Sequence, residues 1–145
     1  MDYMNSFDIS ASGMSVEKLR MDLVSLNLAN SKTTRTESGG VFKPLTLVTK
    51  SSQLNFTSHL NQAYKVGVSK GVEIQEIVEK DSPEKLVYEP GHPDADGRGF
   101  VHYPGVNTTT EMVEMLRATR AYEANVRALN AAKSMALKAL EIGGQ

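Results

Sequence analysis

The 145-residue chain has no cysteine, which excludes a disulfide framework, a thiolate nucleophile and a cysteine metal site, though it identifies no compartment. It also has no excess of either charge, because 16 Lys and Arg stand against 17 Asp and Glu for a formal net charge of −1. Such a chain has no long-range attraction for nucleic acid or an anionic membrane, and neither partner is expected. No apolar run approaches the ~20 residues that span a bilayer. Met1 to Ser12 carries Asp2 and Asp8 where a cleavable signal carries positive charge, so any export is expected to proceed without signal cleavage. Phosphate loops, nucleophile elbows, HExxH helices and paired carboxylates are all missing. The expectation is therefore no enzyme, no cofactor and no small-molecule substrate.

Proline and glycine are themselves absent from Glu111 to Ile142. That stretch is rich in Ala, Leu, Met, Glu, Lys and Arg, which predicts one unbroken helix from about Thr108 to the Gly143-Gly144 stop. It would be roughly 50 Å long at ~1.5 Å per residue. Thr108 with Glu111 has the spacing of a capping box. Met112, Met115, Thr119, Tyr122, Val126, Leu129, Lys133, Ala136 and Leu140 follow a coiled-coil 3-4 spacing interrupted at Thr119 and Lys133. A second row of Ala121, Ala124, Ala128, Ala131, Met135 and Ile142 lies about 100° away on the wheel. One broad face packed on the chain's own core would account for both rows. The alanines also permit close approach on a second side, and the chain has little left to cover them, so partners from other subunits are the other reading.

Residues from about Asn5 to Asn30 predict a second long helix. Ile9, Val16, Leu19, Leu23 and Leu26 keep the 3-4 spacing, with Ser12 and Asn30 as polar members. Phe7, Met14, Met21 and Leu28 form another row on nearly the opposite side, and two opposed apolar stripes imply two different neighbours. Gly13 and several serines lower its propensity, so alone in water it should be marginal.

Between the helices, Ser31 to Gly40 reads as a polar connector with a turn at Gly39-Gly40. Val41 to Thr49 reads as a strand with Pro44 near its start. Lys50 to Lys65 reads as a mobile loop, and Val66 to Val78 as an alternating strand. Leu86 to Tyr88 and Phe100 to Tyr103 read as short strands joined through the turn signals Pro90, Pro93 and Asp96-Gly97. The expected fold is α+β, with long terminal helices pairing as an antiparallel coiled coil around a small β-rich middle. Its segments are an assembly helix at 1–30, a connector and first strand at 31–50, a β unit at 51–107 with a mobile loop near 51–65, and an assembly helix at 108–142.

The densest polar cluster runs from Glu89 to Gly97, with His102 after it. His92, Asp94, Asp96 and His102 are residue types that bind metal, but a calcium loop of the EF-hand kind needs a glutamate where Tyr103 stands. A proline-stiffened turn with Asx-type hydrogen bonds explains the same residues, and no metal is expected.

Asn27-Leu28-Ala29-Asn30 resembles the motif that ends the N-terminal helix in the axial proteins of the bacterial flagellum, the rod, hook and hook-associated family. Thr33-Thr34-Arg35-Thr36 with Gly39-Gly40 extends the resemblance, as do Val87-Tyr88-Glu89-Pro90-Gly91-His92-Pro93-Asp94-Ala95 and Tyr103-Pro104 before Val106-Asn107. Glu111-Met112-Val113, Arg120-Ala121-Tyr122-Glu123-Ala124-Asn125 and Leu129 to Met135 are similar to its proximal-rod members. The similarity covers the first forty residues and everything after about Asp81. Gly105 stands where that family leads one to expect asparagine. The resemblance implies a rod subunit sent out through the flagellar type III export apparatus without cleavage. It implies assembly in the periplasm with its own copies and other rod proteins, beside inner-membrane ring and rod-base adaptor proteins. The family motif would be Asn27, Leu28, Ala29, Asn30, Gly39, Gly40, Pro90, Gly91, His92, Pro93 and Asp94. Phe7, Met14, Val16, Leu19, Met21, Leu23, Leu26, Met112, Met115, Tyr122, Val126, Leu129, Met135, Ala136 and Leu140 would serve helix assembly. Two other readings remain open on the residues alone: a soluble coiled-coil adaptor with one apolar stripe per helix, and a metal enzyme resting on the His92 loop.

Overall fold

A computed structural model of the chain describes residues 3–37, 39–51 and 71–143. Helix α1 (Tyr3–Ala29) is followed by strands β1 (Leu45–Ser51), β2 (Val72–Glu79), β3 (Lys85–Tyr88) and β4 (Phe100–Tyr103), and then by helix α2 (Thr108–Gly143). The fold class is α+β, with β1 pairing β2 and β3 pairing β4 in two small antiparallel sheets. Both helices end within two residues of the expected boundaries. Among the described residues no helix is long and apolar enough to cross a membrane.

The first strand begins later than its apolar pattern suggests. Pro44 has no N–H to give a ladder, and its buried carbonyl instead accepts the Lys80 N–H at 2.7 Å just ahead of Leu45. Val41 and Phe42 thus lie outside β1. Lys50 and Ser51, expected to open a loop, continue β1 instead, and the rest of that expected loop, with Val66 and Val68 of the next expected strand, lies outside the described residues. In the β3–β4 hairpin, Leu86 pairs with His102, Val87 with Val101, and Tyr88 with Phe100. The period of two then sorts the faces: Val101 is fully buried and Val87 half-buried, whereas Leu86, Tyr88, Phe100 and His102 are exposed.

The cap of α2 corrects the capping-box expectation. Asn107, not Thr108, is the N-cap, because its Oδ1 accepts the Thr109 and Thr110 N–H groups at 3.0 and 3.3 Å, and the Glu111 N–H donates to its carbonyl. Glu111 is thereby released from any capping role, and it turns inward.

The chain divides into two compact units, and both draw on α1 and α2. In the unit of Met1–Leu19, Val48–Glu76 and Ala118–Gln145, Ser10, Val16, Ala118 and Ala132 are buried. In the unit of Arg20–Leu47 and Ile77–Arg117, the buried residues include Leu23, Val24, Asn27, Pro44, Val101, Pro104 and Glu111. Gly105 belongs to this second unit, and a Cβ there would overlap the Pro83 carbonyl and the Ser82 side chain. That close approach explains why the expected asparagine is replaced by a residue with no side chain.

Burial along α2 resolves the interrupted seam. Met115, Tyr122, Leu129 and Ala136 are half-buried as the spacing suggests. Three of the five alternate positions shift one residue toward the N-terminus, so that Glu111, Ala118 and Ala132 are more buried than Met112, Thr119 and Lys133. The physical reason is steric and polar together. Turning the helix slightly keeps the Lys133 ammonium in water and offers small alanines to the packed side.

Candidate assembly surfaces and the asparagine motif

Asn27 is only 2% exposed, and every polar atom of its amide is used. Its Oδ1 accepts the Leu45 N–H and its Nδ2 donates to the Leu45 carbonyl, both at 2.8 Å. The side chain thus pairs with β1 as a second peptide group would, at the position where the strand begins. The same Nδ2 donates to Glu111 Oε2 at 3.2 Å, and Glu111 is itself 8% exposed. One amide ties the end of α1 to the start of β1 and the first turn of α2. Burying it unpaired would cost free energy, so it stands there because all three partners are present.

The other motif residues finish the helix. Asn30 donates from its Nδ2 and its backbone N–H to the Leu26 carbonyl, both at 3.0 Å, and its Oδ1 accepts from Thr33 Oγ1. The Leu28 carbonyl accepts the Ser31 hydroxyl at 2.7 Å and the Ser31 N–H at 3.2 Å. These bonds satisfy carbonyls that a helix C-terminus leaves without partners. Ala29 is the last helical residue and is exposed.

Further on, the connector folds back at Gly39 and Gly40, whose φ values of 79° and 97° suit glycine. The Thr36 N–H donates to the Gly40 carbonyl at 3.0 Å. Thr34 Oγ1 then donates to Asp94 Oδ2 at 2.8 Å, so two separate stretches of the family motif meet. Within the hairpin loop, His92 Nδ1 accepts the Asp94 N–H at 3.1 Å, and the His92 ring stands edge-on to Tyr103. Pro90 borders Gly99, whose positive φ admits no Cβ without collision with Tyr88 and Pro90. Asp96 Oδ1 accepts the Arg98 and Phe100 N–H groups, both at 2.8 Å, and these bonds to the charged form lower its pKa. Tyr103 donates its hydroxyl to Glu89 Oε2 at 3.0 Å, which raises the tyrosine pKa. His102 pairs with Glu84 at 2.6 Å. The four residues considered as metal ligands each serve the hairpin or its connector, and among the described residues no three His, Asp or Glu gather as metal ligands would.

The remaining sequence-derived positions separate into covered and uncovered sets. On α1, Val16 and Leu23 are buried, Phe7, Met14, Leu19, Met21 and Leu28 half-buried, and Leu26 exposed. On α2, Met115, Tyr122, Val126, Leu129 and Ala136 are half-buried. Met112, Met135 and Leu140 are exposed within the chain, as are Leu137 and Ile142 beside them. Leu140 and Ile142 reach 72% and 81% exposure. Met135, Leu137, Leu140 and Ile142 thus leave apolar surface uncovered at the C-terminal end of α2. Glu111 and Asn107 carry structural roles that pattern reading missed. Glu111 was masked by its capping spacing.

Comparison with known proteins gives this geometry its context. A family model described as the C-terminal region of flagellar basal body rod FlgEFG proteins matches residues 98–142. The chain is 40% identical over 145 residues to the flagellar basal-body rod protein FlgC of Bacillus subtilis, covering 96% of this chain and 97% of that one. It is 35% identical over 156 residues to FlgC of Borreliella burgdorferi, covering 98% of each. To FlgC of Salmonella typhimurium it is 36% identical over 143 residues, covering 99% of each. Identity at this level along nearly the whole chain means that the chain belongs to the FlgC family of flagellar basal-body rod proteins.

Proposed function

We propose that this structural rod subunit polymerises through α1 and α2 in the proximal rod, within the periplasm, into a hollow shaft that transmits torque and conducts exported flagellar proteins. Its neighbours are further copies, other rod proteins, and the inner-membrane ring and rod-base adaptor proteins. It reaches them through the flagellar type III export apparatus with no cleaved signal. The observation that carries this reading is the uncovered apolar end of α2, where Met135, Leu137, Leu140 and Ile142 are all exposed. Full burial of such a side chain is worth about 1.5–3 kcal/mol, and the share still exposed in the free chain is what contact with neighbouring subunits would add to the polymer.

Within the subunit the two helices pair antiparallel. Gly13 approaches Asn125 in one unit and Asn27 binds Glu111 in the other. From Gly13 to Asn27 and from Asn125 back to Glu111 the step is fourteen residues, two heptads, in opposite directions. This supports a coiled-coil pairing with a single register. A density map of isolated basal bodies with the chain traced in it tests the proposal. Leu137, Leu140 and Ile142 should lie against α-helices of adjacent subunits. A rod in which they face solvent would overturn it.

A further inference from the structure

We propose that Asn125 is a register key for the pairing of α1 with α2, admitted at one position only because Gly13 has no side chain. This inference rests on the antiparallel pairing proposed above. The observation is a distance: an ideal Cβ built on Gly13 would stand 2.7 Å from Asn125 Nδ2, 3.1 Å from its Cγ and 3.2 Å from its Oδ1. All three atoms of the amide head lie over the one helical residue that leaves room for them. Gly13 is otherwise a poor choice for the middle of a helix, where it is less favourable than alanine.

A key adds to the Asn27–Glu111 bond because the apolar residues of the packed side do not themselves discriminate. Alanine, leucine, methionine and valine accept one another after a one-heptad slide, since apolar burial is non-directional. A polar side chain at a single seam position restricts register at some cost in stability. Sliding α1 by one heptad in either direction would set Asn125 against Arg20 or Ser6, both of which carry side chains in the space Gly13 leaves open. The same slide would part Asn27 from Glu111 and leave a buried carboxylate without that donor. For a subunit that polymerises through both helices, register decides where the exposed apolar end of α2 is presented.

The test is a double-mutant cycle in the full-length chain, reading the urea midpoint by far-ultraviolet circular dichroism. Gly13→Ala alone should lower the midpoint. In an Asn125→Ala background the same substitution should raise it, since the collision is gone and alanine's better helix propensity is all that remains. Hydrogen exchange at the amides from Val16 to Asn27 reports the pairing separately. Protected amides with equal, same-sign shifts in both backgrounds would overturn the key and leave the pairing standing. Amides unprotected in the wild type would overturn the pairing and the key together.

Discussion

At the scale of single residues, Asn27 shows why the motif is legible in sequence but its work is not. Its partners Leu45 and Glu111 lie 18 and 84 positions away, and nothing in local spacing announces either one. Asn27→Ala removes both bonds to the Leu45 peptide and leaves Glu111 buried without that donor. It should cost about 2–4 kcal/mol, read as a lower urea midpoint. Asp96 is legible for the opposite reason, because its partners at Arg98 and Phe100 are local and Asx-type bonding was the expectation. Its pKa is lowered in the folded chain by those two N–H groups. Its contribution is therefore fully present above the ordinary aspartate value of about 3.9 and is lost as pH falls through the folded value. Asp96→Asn should leave the chain less sensitive to acid across that window. Urea midpoints taken through the acid range should converge for the two proteins as pH falls.

At the scale of elements, periodicity and breakers located both helices and the β3–β4 hairpin, because each is set by contacts close in sequence. The start of β1 was not legible, since it depends on Lys80 reaching the Pro44 carbonyl across a long separation. The cap of α2 was misread by one residue: two plausible cap side chains are adjacent, and only geometry decides between them. Asn107→Ala should then cost about 1 kcal/mol, whereas Thr108→Ala should change the urea midpoint little. A larger loss from Thr108→Ala would restore the capping box. The rotation of the α2 seam has the same origin, because whether residue 118 or 119 turns inward depends on the surface it meets. Ala118 in place of Thr119, and Ala132 in place of Lys133, are the outcomes of close packing on small side chains.

At the scale of the whole molecule, the sequence has more apolar helix surface than a chain of this size covers, and the structure shows where the surplus lies. Opposed stripes on α1 suggested more than one neighbour, and Phe7, Met14, Met21 and Leu28 are half-buried within the chain. The exposed end of α2 is the clearer case, because no described residue of the chain shields Leu140 or Ile142 beyond a fraction of their area. We propose that this end holds subunits together in the rod and contributes little to the fold of one subunit. Leu137→Asp combined with Leu140→Asp, in a strain whose own copy is deleted, tests it most directly through secreted subunit, urea midpoint of the purified chain, and motility. Secretion and midpoint should match the wild type while cells lose filaments and swimming, because charge is placed only where another subunit must dock. Motile cells carrying normal filaments would contradict the account.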